Sequence, residues 1–166
     1  TADANDVWLA WDGEPWAADD LPHLLDELVS PDGERYAVRL LAAAVNSALG
    51  LAPVYVDVTA IGQTAMRARY TPEVLASADA LHRVAAEAVE APRARGMLVH
   101  LRRRLAGSYF LGEPPELQIA RDACRDLRVP ITIQGATLLV HRDVVRVPLG
   151  DTLTGFLAVV DPATHA

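Results

Sequence analysis

The chain has 166 residues, of which 51% are hydrophobic and 22% charged, a mixture typical of a folded domain that excludes a disordered segment. Its net charge of -7 disfavours general binding to nucleic acid. Every basic residue is an arginine. This is consistent with a high-GC bacterial genome, and it excludes a Schiff-base lysine and a P-loop lysine.

One domain is predicted to span residues 1–166, because neither a linker nor an internal repeat divides the sequence. Cys124 is the only cysteine, which excludes an internal disulfide and a thiolate metal cluster. The N-terminus is acidic, unlike a signal peptide, and no apolar run reaches the roughly 18–20 residues of a membrane span. We therefore expect a soluble cytoplasmic protein. The first residue is not Met, which is consistent with a piece excised from a longer protein.

Hydrophobic periodicity predicts the secondary structure along the chain. Helical spacing predicts helices at about 19–28, 34–49, 71–89, 97–109 and 116–127. Alternation and β-branched runs predict strands at about 7–11, 54–58, 64–70, 131–133, 137–140, 144–147 and 157–160. Residues 97–109 also fit a strand at their start, but the helical spacing continues past Arg102–Arg104, where the alternation fails.

These elements predict an α+β fold with a mostly antiparallel sheet. Its strands are a C-terminal meander together with the N-terminal and central strands, and four to five helices pack against the sheet.

Charge is distributed unevenly along the sequence. Residues 1–34 hold ten of the 22 acidic residues and no base, whereas the other 12 acids share the rest of the chain with all 15 arginines. Five of those arginines form a cluster without an acid: Arg93, Arg95, Arg102, Arg103 and Arg104. The simplest interpretation is a solvated face that pairs with the acidic N-terminal segment. The alternatives are a site for a phosphate or carboxylate ligand, or contact with nucleic acid or a separate acidic partner.

Three tryptophans, Trp8, Trp11 and Trp16, lie within nine residues of one another. They fit core anchors of an N-terminal strand and its following loop. They also fit an aromatic platform for a ligand or partner, because exposed tryptophan is concentrated at recognition sites.

The histidines show no metal-site spacing, and no metal or cofactor is predicted. His100 lies beside the arginine cluster, where like charge would keep it neutral and make it a candidate general base. His141 lies in a predicted β-turn and is the second catalytic candidate.

The sequence also lacks a nucleophile elbow and a glycine-rich phosphate loop. The leading hypothesis is therefore a non-catalytic binding or regulatory domain that recognises a protein partner or a small ligand. The alternative is a small enzyme acting on an anionic metabolite, with arginines holding the anion and a histidine moving a proton. The sequence indicates neither the partner nor the oligomeric state.

Overall fold

The computed structural model describes residues 1–3, 5–29, 35–81, 83–104, 113–124 and 130–138. The chain divides into two compact units, Thr1–Pro114 and Pro115–Ala166. The expectation of one domain stays a prediction. No helix among the described residues is long and apolar enough to cross a membrane.

The first unit is built on a five-stranded antiparallel sheet. Its strands in chain order are β1 (Asp6–Trp11), β2 (Tyr55–Ile61), β3 (Ala65–Tyr70), β4 (Ala86–Val89) and β5 (Gly96–Arg102). Their order across the sheet is β1-β5-β2-β3-β4. Gly96 begins β5 with φ +115°, and a Cβ there would collide with the Trp11 carbonyl oxygen. Only glycine therefore allows β1 and β5 to meet so closely.

One face of this sheet is covered by helix α1 (Tyr36–Gly50) and by the 3₁₀ segment Leu24–Leu28. Helical spacing puts Val38, Ala42, Val45 and Leu49 on one buried side of α1. From the sheet they meet alternate strand residues, which form the core with them: Val56, Val58, Ala60, Ala68, Tyr70, Met97 and Val99. The Tyr70 hydroxyl donates to the Leu21 carbonyl within this core, and burial raises its pKa.

The α+β class with a mostly antiparallel sheet is confirmed, but the number of helices is wrong. In the described ranges only α1 and α3 (Pro115–Cys124) exceed one turn, and α2 (Ala78–Leu81) is a single turn. The helix predicted at 19–28 is instead two 3₁₀ segments, Ala18–Asp20 and Leu24–Leu28, separated at Pro22. Proline has no backbone N–H to donate, which explains the interruption.

Two further helix predictions fall on strands. The predicted helix at 71–89 is replaced by the 3₁₀ segment Pro72–Leu75, the single turn α2 and then strand β4, which pairs with β3. The predicted helix at 97–109 begins with β5, which lies between β1 and β2. The strand alternation of Met97, Val99 and Leu101 was therefore the correct interpretation, because pairing on both sides overrides the helical spacing. Residues 105–109 lie outside the described residues.

In the second unit, α3 precedes a short hairpin of β6 (Thr132–Ile133) and β7 (Ala136–Thr137). Gln134 and Gly135 form its turn with φ of 51° and 80°. Positive φ at both central residues is typical of a type I′ turn. The hairpin confirms the start of the predicted C-terminal meander. The strands predicted at 144–147 and 157–160 lie outside the described residues.

Candidate binding surface

The face of the sheet opposite α1 carries polar and aromatic side chains from all five strands. Cross-strand register places Asp6, Arg102 and Tyr55 in one row, and Trp8, His100, Asp57 and Arg69 in the next. We call this surface the polar face and define it by ten residues: Asp6, Trp8, Tyr55, Asp57, Thr59, Arg67, Arg69, Glu87, His100 and Arg102. Side chains of neighbouring strand residues point to opposite faces, so the sheet that builds the core also positions this surface.

Asp57 is the most buried charge of the polar face, at 3% exposure. Arg69 donates to both of its carboxylate oxygens, from Nε and Nη2, each at 2.7 Å. Arg67 Nη1 lies 3.6 Å from the same carboxylate, and Arg67 also donates to Glu87, from Nε at 3.1 Å. These bonds raise the pKa of Arg69 and lower the pKa of Glu87. A buried carboxylate needs such partners, because an unpaired charge away from water is costly.

Asp6 forms a second charged centre on β1 and is 6% exposed. Its Oδ1 lies 2.7 Å from His100 Nε2, and its Oδ2 accepts from Arg102 Nη1 at 2.5 Å. Since a carboxylate can only accept, this hydrogen bond places a proton on Nε2. Within the described residues, His100 Nδ1 has no hydrogen-bond partner. The imidazole therefore contacts a carboxylate as well as an arginine, which the like-charge argument from sequence overlooked.

Aromatic and guanidinium groups form a continuous stack between these two centres. The rings of Trp8 and His100 stack at a centroid distance of 5.1 Å and an angle of 11°. Tyr55 meets His100 edge-on, with centroids 5.4 Å apart at 83°. Arg69 Cζ lies 3.9 Å from the centre of the Tyr55 ring, within range of a cation–π contact. The stack thus links β1, β5, β2 and β3.

Parts of this cluster remain accessible to solvent. The side chains of Arg69 and Arg102 are each 43% exposed, and that of His100 is 21% exposed. Trp8 and Tyr55 are half-buried. The charged heads and ring edges can therefore contact another molecule, while the carboxylates beneath them stay buried.

The residues singled out from sequence have several different locations. Trp8, His100 and Arg102 come together on the polar face. Arg93 pairs instead with Asp12 beyond the end of β1, and the Arg103 guanidinium donates to the Asp3 carbonyl. Arg95 and Arg104 are exposed.

The other two tryptophans lie away from the polar face. Trp11 is 38% exposed and shares the α1 side of the sheet, while Trp16 packs against the core. His141 lies outside the described residues.

Acidic residues near the N-terminus do pair with the arginine cluster, but these acids lie on and beside strand β1 and not on the expected N-terminal helix. Asp6–Arg102 and Asp12–Arg93 join β1 and its flank to β5 and its flank. Two acids of the expected helix, Asp20 and Glu27, pair instead with Arg35, which is not part of the arginine cluster.

Sequence reasoning missed most of the partners on the polar face: Asp6, Tyr55, Asp57, Arg67, Arg69 and Glu87. A usable signal was present in the β2–β3 hairpin. Asp57 interrupts the apolar run from Val54 to Val58, and a connection of three residues pairs it with Arg69. Opposite charges directly across a hairpin predict a cross-strand ion pair.

Two cavities are lined by described residues. Arg69 of the polar face lines one of them, and His100 lines neither. Among the described side chains, no group of three His, Cys, Asp or Glu converges on a metal site.

Comparison with known proteins finds no matching family model, no matching curated protein and no matching solved structure.

Proposed function

We propose that this chain is a non-catalytic binding domain that recognises a protein partner through the polar face. The observation that carries the proposal is the continuous stack of Trp8, His100, Tyr55 and Arg69, with Arg102 at its edge. Tryptophan, tyrosine and arginine are the residues most enriched where protein interfaces gain their binding energy. Here one tryptophan, one tyrosine and two arginines form one partly exposed cluster with His100.

The ion pairs beneath the stack support recognition because they hold it in one geometry. Asp57 fixes Arg69 through two hydrogen bonds, and Asp6 fixes both His100 and Arg102. A side chain that is already ordered loses less entropy on binding, so a preorganised cluster binds more tightly than a mobile one.

Unused hydrogen-bond donors indicate what the partner would offer. Arg102 commits Nη1 to Asp6, and Arg69 commits Nε and Nη2 to Asp57, so each keeps donors that no described residue takes up. Carboxylates or backbone carbonyls of the partner would accept from them. Three arginines against three carboxylates balance the face, so neither a strongly charged partner nor nucleic acid is expected. We further propose that the encounter takes place in the cytoplasm.

Native mass spectrometry of the protein purified from its natural host tests this proposal. We expect a co-purified polypeptide that the double variant Tyr55→Ala/Arg102→Ala loses. The matched control is Tyr36→Ala/Arg95→Ala, which removes the same residue types from exposed positions off the polar face and should keep the partner. A thermal melt first establishes that both variants fold. Retention of the partner by the polar-face variant would contradict the proposal.

One observation favours a second candidate, an enzyme acting on an anionic metabolite. Asp6 holds His100 through Nε2, which leaves Nδ1 of a neutral imidazole free to accept a proton, with Arg102 beside it. Incubation with phosphorylated and carboxylated metabolites, followed by mass spectrometry, tests this candidate. Conversion that His100→Gln abolishes would support it, and no conversion would remove it.

A further inference from the structure

A second surface of the first unit, lined by residues other than the ten of the polar face, forms a groove of about 420 Å³. The groove lies where the 3₁₀ segments of residues 18–28 meet β3 and the chain leading into β4. Ligand sites of small molecules commonly have volumes of about 300–1,000 Å³ and combine apolar walls with a few polar groups.

The inner wall of this groove is apolar. Met66, Val84 and Ala86 are half-buried, pack against the hydrophobic core and also line the groove. Pro22 adds a further apolar surface from the 3₁₀ side. Binding is therefore favoured for a ligand that buries aliphatic or aromatic surface against this wall.

The outer edge of the groove is acidic. Asp19 and Asp26 line it together with His23, and all three are exposed. Asp26 lies 3.2 Å from His23 Nδ1, whereas Asp19 has no ion-pair partner among the described residues. The neighbouring acids Asp20 and Glu27 share the single arginine Arg35, which offsets only one of their two charges, so negative charge is in excess around the groove.

We propose that this groove binds the ammonium end of an alkylamine, with its hydrocarbon part against Met66 and Val84 and its charge beside Asp19 and Asp26. Charge complementarity selects a cation, and the apolar wall selects an organic one. The described side chains offer no convergent set of three metal ligands, so an inorganic divalent cation does not fit. The same chemistry is supplied by a free amine and by the lysine side chain of a partner protein.

Titration with n-hexylammonium, followed by NMR of the backbone amides, tests the proposal. We expect shifts at the groove residues and none on the polar face, and weaker binding by the neutral isostere 1-hexanol. Asp19→Asn should weaken hexylammonium binding about three- to fivefold, as for a partly exposed ion pair. Glu90→Gln removes an exposed acid that does not line the groove and should leave the affinity unchanged. Val84→Trp should block the site.

A parallel titration with an acetylated and amidated lysine distinguishes the two sources. Tighter binding of the capped lysine identifies a partner's side chain, and tighter binding of hexylammonium identifies a free amine. Equal affinity for hexanol and hexylammonium, or no saturation of either cation below about 10 mM, would overturn the proposal. Because the groove residues differ from those of the polar face, this outcome is independent of the proposed protein partner.

Discussion

The two faces of the five-stranded sheet bury different kinds of side chain and are stabilised by different interactions. On the α1 face, apolar side chains such as Val58 and Met97 are completely buried and need only good packing. On the polar face, Asp57 is almost as buried, yet it depends on directed hydrogen bonds from Arg69. Packing tolerates any apolar group of suitable volume, whereas a buried carboxylate requires specific partners. The polar face therefore depends on specific pairings, whereas the α1 face depends on packing.

The largest difference between the faces should appear at adjacent positions of β5. Met97 is fully buried on the α1 face, and Met97→Ala should lower the free energy of unfolding by about 2–5 kcal/mol through lost burial and a cavity. Leu98 is half-buried on the polar face, so Leu98→Ala should cost clearly less. Urea unfolding followed by circular dichroism measures both. Equal losses would show that the polar face is packed like a core.

An intermediate effect is expected from removing the central charge of the polar face. Asp57→Asn weakens the bidentate bond to Arg69 and should cost about 1–3 kcal/mol of unfolding free energy, since Arg69 is partly exposed and can rehydrate. A double-mutant cycle with Arg69→Gln should give a favourable coupling energy between the two side chains. Independent, additive losses would mean that the ion pair does not hold the face together.

The smallest effect on stability should come from the pH dependence contributed by Glu87, on the edge strand β4. Hydrogen bonds from Arg67 lower the pKa of Glu87 in the folded chain, so its contribution is present above the unfolded pKa and is lost as pH falls through the folded pKa. We expect a slightly smaller fall in the urea midpoint between pH 7 and pH 3.5 for Glu87→Gln than for the unaltered chain. An identical pH dependence would show that the Arg67–Glu87 pair adds nothing measurable.

Local sequence patterns predicted the elements that rest on local signals. Helix α1 and the β2–β3 hairpin match the predicted helix at 34–49 and the predicted strands at 54–58 and 64–70 closely. The spacing of apolar residues on a helix and the turn of a hairpin both depend only on residues that are close in sequence. Strands β4 and β5 were mistaken for helices. Alanine in β4 and leucine in β5 favour helices in isolation. Pairing with neighbouring strands overrides this preference.

The candidate site depended on contacts between distant parts of the chain. Asp6 and His100 are 94 residues apart, and only the pairing of β1 with β5 brings them together. The asymmetry of charge did predict that N-terminal acids meet the later arginines. It could not predict which acid meets which arginine, because register is fixed by burial of the opposite face.

Site-specific photo-crosslinking tests most directly whether the polar face is the surface that binds a partner. A photoreactive phenylalanine analogue replaces Tyr55 in one variant and Tyr36, an exposed residue of α1, in the other. Both variants are irradiated in the natural host cells and their adducts are identified by mass spectrometry. The proposed function predicts a discrete polypeptide adduct from position 55 that is absent from position 36. Adducts of the same identity and yield from both positions, or from position 36 alone, would contradict it.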